Sequence, residues 1–290
     1  MKKIFISSLA LTLTLGLAAQ SYTPAVKLEA GKQYTVNTIT KSNMTQEAMG
    51  QTMEIPIDAT NKATLTIKAA SDKGYESTYI TDRVQFAANM MGQDMNYDSD
   101  KKDDKDSPMG KTMNKLVGKE TSFVVNGAGN IIKETIVKQT QEKSDEEGPD
   151  MMTGMMGMGM SEASTCPVFN LFVNNNELKI GDSFVDSSTI NDKDGSTKTS
   201  TTYILKEIKD GKSIFALNGQ VAISKKMEMQ GMEMTTTTAS KSTGDMIVDV
   251  ATGLLNSKSI VTETTGSVDV QGMSIPITGK TTTTITVSAK

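Results

Sequence analysis

Methionine is the residue type whose number and spacing give this sequence most scope for chemistry. There are 21 in 290 residues, and they cluster: Met44, Met49 and Met53; Met90, Met91 and Met95; Met109 and Met113; Met227, Met229, Met232 and Met234; Met273; and six between 151 and 160. A thioether is unbranched, polarizable and soft. Clusters of it suit apolar surfaces that repack around varied ligands, or a soft ion such as Cu(I). The metal chemistry would sit at Met151, Met152, Met155, Met156, Met158 and Met160, which are interleaved with Gly154, Gly157 and Gly159.

The other reactive residue types offer less. The chain has no histidine, which excludes Ser-His-Asp and Cys-His nucleophiles, His-ligated zinc and imidazole acid/base chemistry. Cys166 is the one cysteine; it rules out an intramolecular disulfide and reads as a structural thiol. Ser99 and Lys102 have the spacing of a Ser-Lys nucleophile. They fall in the run Asp98 to Asp106, five Asp interleaved with three Lys, which reads as a solvated loop rather than a buried site. The same lysines compete with calcium for those carboxylates. Asp192-Lys193-Asp194-Gly195 resembles part of a calcium loop, but Ile190 and Thr201 stand where its first and twelfth ligands belong, so it reads as a turn. No glycine-rich phosphate loop follows a strand. The sequence therefore points to a non-enzymatic protein without a cofactor.

The elements that must position the methionines are strands. Ile55, Ile57, Ala59, Ala63, Leu65 and Ile67 share one parity, as do Phe215, Leu217, Val221, Ile223, Met227 and Met229. Such alternation marks half-buried strands. Turn signals separate the runs at Asp72-Lys73-Gly74, Asn126 to Gly129, Asp210-Gly211 and Thr252-Gly253. The expected fold is mainly β: about ten strands in a large antiparallel meander sheet or open barrel, with two short helices. One helix has Ser107 as N-cap, Pro108 at its first position and Gly118 as its stop; a second candidate runs from Pro167 to Val173. Met53-Glu54-Ile55-Pro56-Ile57 is echoed by Met273-Ser274-Ile275-Pro276-Ile277, and Leu116-Val117-Gly118 more loosely by the Leu178 to Gly181 segment. Two related β halves or convergent hairpin chemistry would each produce these echoes.

In an antiparallel meander the chain reverses at alternate ends, so counting assigns each connection to an end. The connections at 45–53, 90–119 and 141–165 fall at one end, and the turns at Gly231 and Gly272 share an end in the second half. The Asp/Gly turns fall opposite in both halves. If the halves place their methionine ends together, Met44, Met49, Met53, Met90, Met91, Met227, Met229, Met232, Met234 and Met273 line one rim. That rim would take an apolar small molecule, a lipid or an envelope protein. Two alternatives stand beside it: the methionines simply extend the core-facing parity of their strands, or the 151–160 cluster binds Cu(I).

Lys2 and Lys3, the apolar run Ile4 to Leu17 and small residues ending at Ala19 form a secretory signal pattern. This divides the chain into a signal at 1–19, a first β half at 20–140, a charged and Met/Gly-rich linker or loop at 141–165, and a second β half at 166–290. The apolar run is shorter than the roughly 20 residues that span a bilayer, and no later stretch approaches that length. Net charge is −4 with no basic patch, which argues against nucleic acid. Gly31-Lys32-Gln33-Tyr34, the strand start Lys179-Ile180-Gly181-Asp182-Ser183-Phe184, and Asp249-Val250-Ala251-Thr252-Gly253 before an outgoing strand together resemble an uncharacterised family of exported Bacteroidota β proteins. The resemblance covers most of the chain after the signal and implies a sheet or open-barrel fold. It also implies a periplasmic or surface location, with periplasm favoured because no sorting domain is evident after the last strand.

Overall fold

Runs rich in Thr, Val and Ile, with apolar residues at alternate positions, fit the pleat and form strands. The computed structural model describes residues 21–48, 51–90, 93–114, 116–136, 166–169, 171–172, 176–229 and 232–290. The first part of the chain supplies β1 (Ser21–Tyr22), β2 (Gln33–Ala48), β3 (Gln51–Ser71), β4 (Gly74–Met90) and β5 (Gln93–Asp98). Helices α1 (Lys102–Lys105) and α2 (Pro108–Met113) follow, then β6 (Glu120–Val125) and β7 (Ile131–Ile136). The second part supplies β8 (Leu178–Lys179), β9 (Ser183–Asp192), β10 (Gly195–Lys209), β11 (Lys212–Met229), β12 (Met232–Asp249), β13 (Leu255–Val270) and β14 (Met273–Ala289).

Twelve of these strands form one antiparallel sheet that does not close, in the order β7-β6-β4-β3-β2-β14-β13-β12-β11-β10-β9. The count exceeds the expected ten partly because one line of the sheet is split. β5 pairs with the upper part of β4 (Phe86 with Tyr97) and β6 with the lower part (Ile80 with Glu120). The helices are inserted between them. The two parts of the chain form adjacent arms joined by β2 and β14, where Val36 pairs with Val287. The echoed segments Met53–Ile57 and Met273–Ile277 begin β3 and β14, the two strands that flank β2.

One face of the sheet, here the inner face, carries Val36, Leu65, Phe215 and Met246, all buried. They belong to the main core, which sits at the end of the sheet holding the Asp/Gly turns. Two segments outside the large sheet complete it. Residues 21–28 form a strap: Ser21 and Tyr22 pair with Lys179 and Leu178, Val26 N–H donates to Gly127 O at 2.8 Å, and Lys27 N–H donates to Thr252 O at 2.9 Å. The strap thus holds together turns that are more than a hundred residues apart. Cys166, Val168, Phe169, Leu171 and Phe172 bury against it. The helix expected from Pro167 to Val173 is therefore a correction. Its described residues form a turn at 167–168 and a core plug, because the aromatic contacts of Phe169 and Phe172 outweigh a weak local helix pattern.

The first helix appears as α2, where Ser107 Oγ accepts the Gly110 N–H at 2.9 Å. It ends at Met113, before the expected Gly118. Met109 and Met113 cover Val84, Phe86, Ala88 and Tyr97 in a second, smaller core. The acidic run is also a correction. Asp98 and Ser99 are buried, Ser99 at 4% exposure, and α1 occupies part of the stretch read as a solvated loop. Arg83 donates to both carboxylate oxygens of Asp98, at 3.0 and 2.7 Å, while Ser99 Oγ accepts the Val84 N–H. Hydrogen bonds from Arg83, then from the Asp100 backbone and Gln85, hold the Asp98 carboxyl well below the usual carboxylate range. A depressed folded-state value adds stability that is present above the unfolded carboxylate pKa of about 4 and lost as pH falls through the folded value. Asp98→Asn is accordingly expected to lower the urea midpoint at neutral pH, and its deficit against wild type should close progressively below about pH 4. A deficit that stays constant down to acid pH would mean that the ion pair contributes nothing.

Candidate functional site

The register fixes which turns share an end. β2 and β3 meet at Ala48 and Gln51, β4 and β5 at Met90 and Gln93, β11 and β12 at Met229 and Met232, and β13 and β14 at Val270 and Met273. Because Gln46 pairs with both Met53 and Ile277, these connections lie at one end of the sheet. The turns at Ser71–Gly74, Lys209–Lys212 and Asp249–Leu255 lie at the other. The alternation that dictates this is a property of any antiparallel meander, and the β5 excursion does not disturb it because β5 and β6 run the same way. One Asp/Gly turn breaks the pattern: Asp192–Gly195 joins β9 to β10 at the methionine end.

Within that end, Met227, Met234 and Val270 form one cross-strand row with Met273, while Met44 and Met53 stand on adjacent strands β2 and β3. Met44, Met53 and Met234 are half-buried, and Met273 is 60% exposed. Met229 pairs with Met232 at the hairpin tip beyond this row, and Met90 closes β4. Met49 and Met91 lie outside the described residues. So do Met151, Met152, Met155, Met156, Met158 and Met160. Among the described residues, no group of three or more carboxylate, cysteine or histidine side chains could hold a metal ion, and no helix is long and apolar enough to cross a membrane.

In the second arm, the part of the main core that faces the methionine end is a cluster of rings. Tyr22, Phe172, Phe184 and Phe215 meet with centroid distances of 5.5 to 6.4 Å, and Tyr203 stacks on Phe184 at 4.8 Å and 4°. Burial pushes the Tyr22 hydroxyl up to about 12, opposed in part by the neighbouring Ser213 hydroxyl. Above these rings stands Lys258, on β13 between Met246 of β12 and Ile285 of β14. Its Nζ lies 6.0 Å from the centre of the Tyr203 ring. Burial pushes the ammonium pKa down, and the negative charge of Asp186 on β9 partly restores it. Burial and Asp186 also raise the Tyr203 hydroxyl.

Nearer the tips, serine and threonine hydroxyls face one another on directly opposed residues. Ser42 pairs with Thr281, Ser240 with Thr264 and Ser242 with Thr262 at 2.8 Å each, and Ser188 with Thr199 at 2.7 Å. Lys258, Tyr203 and Asp186 did not stand out in the sequence. The available signal was a lone lysine on the inward parity of Ile260, next to residues that bury.

The family described as "Family of unknown function (DUF6263)" matches residues 72–255, from the β3–β4 turn to the first residue of β13. No curated protein matches the chain. Among solved structures, lipovitellin, described under lipid–protein interactions, is similar over 90% of this chain and 25% of its own, with 10% identity and a TM-score of 0.46. The chain thus spans about a quarter of that protein's length. An outer membrane channel from Pseudomonas putida F1 is similar at 8% identity and a TM-score of 0.25, covering 91% of this chain and 97% of that one. OccK7 from Pseudomonas aeruginosa is similar at 7% identity and a TM-score of 0.24, covering 89% and 100%.

Proposed function

The chain belongs to the DUF6263 family of unknown function, and we propose, from the signal pattern at residues 1–19 and the placement of its methionines, that it is an exported, non-enzymatic binding protein of the periplasm that takes an apolar ligand or partner at its methionine end. The observation that carries this reading is the gathering of methionine-bearing strand ends on one side of an open sheet, at the opposite end from the main core. Thioether side chains repack cheaply around a guest, because an unbranched chain has several rotamers of similar energy. The exposed Met273 and Ile190, at 60% and 59%, add apolar surface at that end.

We also read the two arms as related halves. Leu28 to Val36 and Leu178 to Val185 lead into β2 and β9 through glycines with φ of +85° at Gly31 and +96° at Gly181. Gly31 N–H donates to Ile67 O and Gly181 N–H to Leu205 O, while Ile67 and Leu205 donate back to Lys32 and Asp182. On this reading β2, β3, β4, β5 with β6, and β7 correspond to β9 through β13, and β14 joins the arms.

The binding reading is tested with a neutral apolar fluorophore, N-phenyl-1-naphthylamine, titrated with protein lacking residues 1–19. Saturable binding is expected, weakened about tenfold when Met44, Met53, Met234 and Met273 are together replaced by serine, since each change removes buried apolar area. Equal binding by the variant and the wild type would overturn the placement of the site. Recovery of the protein in the cytoplasmic rather than the osmotic-shock fraction of its host would overturn export.

A further inference from the structure

We propose that Lys258 anchors the carboxylate of a single-chain amphiphile whose apolar tail lies along the inner face of β12 towards the methionine end. This rests on the apolar-ligand reading above and adds to it a charge, a direction and a chemical class.

The half-buried Lys258 side chain rises between buried Met246 on one side and half-buried Ile285 on the other. Among the described residues no hydrogen bond or ion pair of 4.0 Å or less reaches its Nζ. The Tyr203 ring, held flat on Phe184, offers its negative face at 6.0 Å. A ring face steadies an ammonium without using its N–H donors, and a poorly hydrated ammonium with unused donors favours a counter-anion. Asp186 is the anion whose field reaches both Lys258 and Tyr203. One cation beside an existing carboxylate suits a monoanionic guest better than a dianionic one, because the second guest charge would meet repulsion from Asp186 without a second cation.

From Lys258 towards the tips, the inner residues of β12 are Gly244, Ser242, Ser240, Thr238, Thr236 and Met234. Ten residue steps at about 3.3 Å each give a strip roughly 33 Å long. The two serines on it are small, and at Gly244 the β13 backbone at Ser259 comes in where a side chain would stand. The hydroxyls of Ser242 and Ser240 are already paired with Thr262 and Thr264, so a hydrocarbon chain laid over them leaves no polar atom newly stranded. Leu217, Val221 and Ile223 on β11 and Ile260 on β13 flank the strip on the same face. Charge at one end, the two paired serine hydroxyls beside it and methionine beyond suit a fatty acid whose tail points towards the methionine end.

The test compares oleate with oleyl alcohol, which keeps the chain and loses the charge, by displacement of the neutral fluorophore at pH 7 below micellar concentrations. Wild type is expected to bind oleate about tenfold or more tighter than the alcohol, the scale of a hydrogen bond to a charged group. Lys258→Met should lose that preference while still binding the alcohol as wild type does, and Lys258→Arg should keep most of it. Matching thermal melts establish that the variants fold. Equal binding of oleate and alcohol by wild type, or an undiminished preference in Lys258→Met, overturns the anchor and leaves the apolar reading standing. Failure of both ligands and of the fluorophore to bind overturns the two together.

Discussion

Replacing Phe215 with alanine is expected to lower the unfolding free energy by about 3–5 kcal/mol, the cost of removing a phenyl ring from a core that cannot collapse around the gap. Phe215 is fully buried, and its ring contacts those of Tyr22, Phe172 and Phe184. These come from the strap, the plug and β9, and among the described residues Phe215 is the ring that meets all three, while Phe172 of the plug also meets the other two. The vacated volume should therefore loosen all three at once, so the variant should also show faster amide exchange at Tyr22 and Phe172. Urea unfolding gives the energy, and Val185→Ala supplies the control. Val185 is an exposed residue on the edge strand β9, and its loss should change stability by no more than about 0.5 kcal/mol. A Phe215→Ala cost below 1 kcal/mol would mean that the ring cluster does not join the strap and plug to the sheet.

The second large effect is expected at Gly253. Its φ is +71°, and a Cβ built there would stand 2.0 Å from the carbonyl oxygen of Ala25. Gly211 has the same φ of +71° but no atom within 4 Å of such a Cβ. Alanine at either position meets the left-handed penalty of about 1–2 kcal/mol. At Gly253 alone it must also push the strap away, breaking the bond from Lys27 N–H to Thr252 O. Gly253→Ala should therefore cost at least about 2 kcal/mol more than Gly211→Ala. It should also open the 21–28 segment to limited proteolysis, which Gly211→Ala should not. Equal costs with an intact strap would show that backbone conformation alone matters at this turn.

Parts of this architecture were legible in the amino-acid order because they depend on local chemistry. The shared parity of Ile55, Ala63, Leu65 and Ile67 identifies one face of β3, since side chains alternate across any strand. The turn at Asp210-Gly211 follows from the ease with which glycine takes positive φ. Within each half the end that carries methionine follows by counting, because hairpin reversal allows one alternation; the pairing of β2 with β14 is what brings Met53 and Met273 to a common end. The acidic run misled for a related reason. A sequence shows the charges of Asp98 and its neighbours, but not that Arg83, 15 residues earlier, lies across the adjacent strand to neutralise one of them. Lys258 was missed in the same way, since what distinguishes it from other lysines is Tyr203 beneath it, three strands away in the sheet order.

By itself the sequence determined the strand-dominated class, the positions of the reversals, the absence of imidazole chemistry and, within each half, which reversals carry methionine. These are consequences of side-chain type and period. Only the tertiary structure decided that β2 and β14 join the two arms, that residues 21–28 hold the Asn126 and Asp249 turns together, that Phe172 belongs to a plug rather than a helix, and that one lysine stands over an aromatic floor. Each is a contact between residues far apart in the chain. Its free energy depends on what else is buried beside it, which local pattern does not encode.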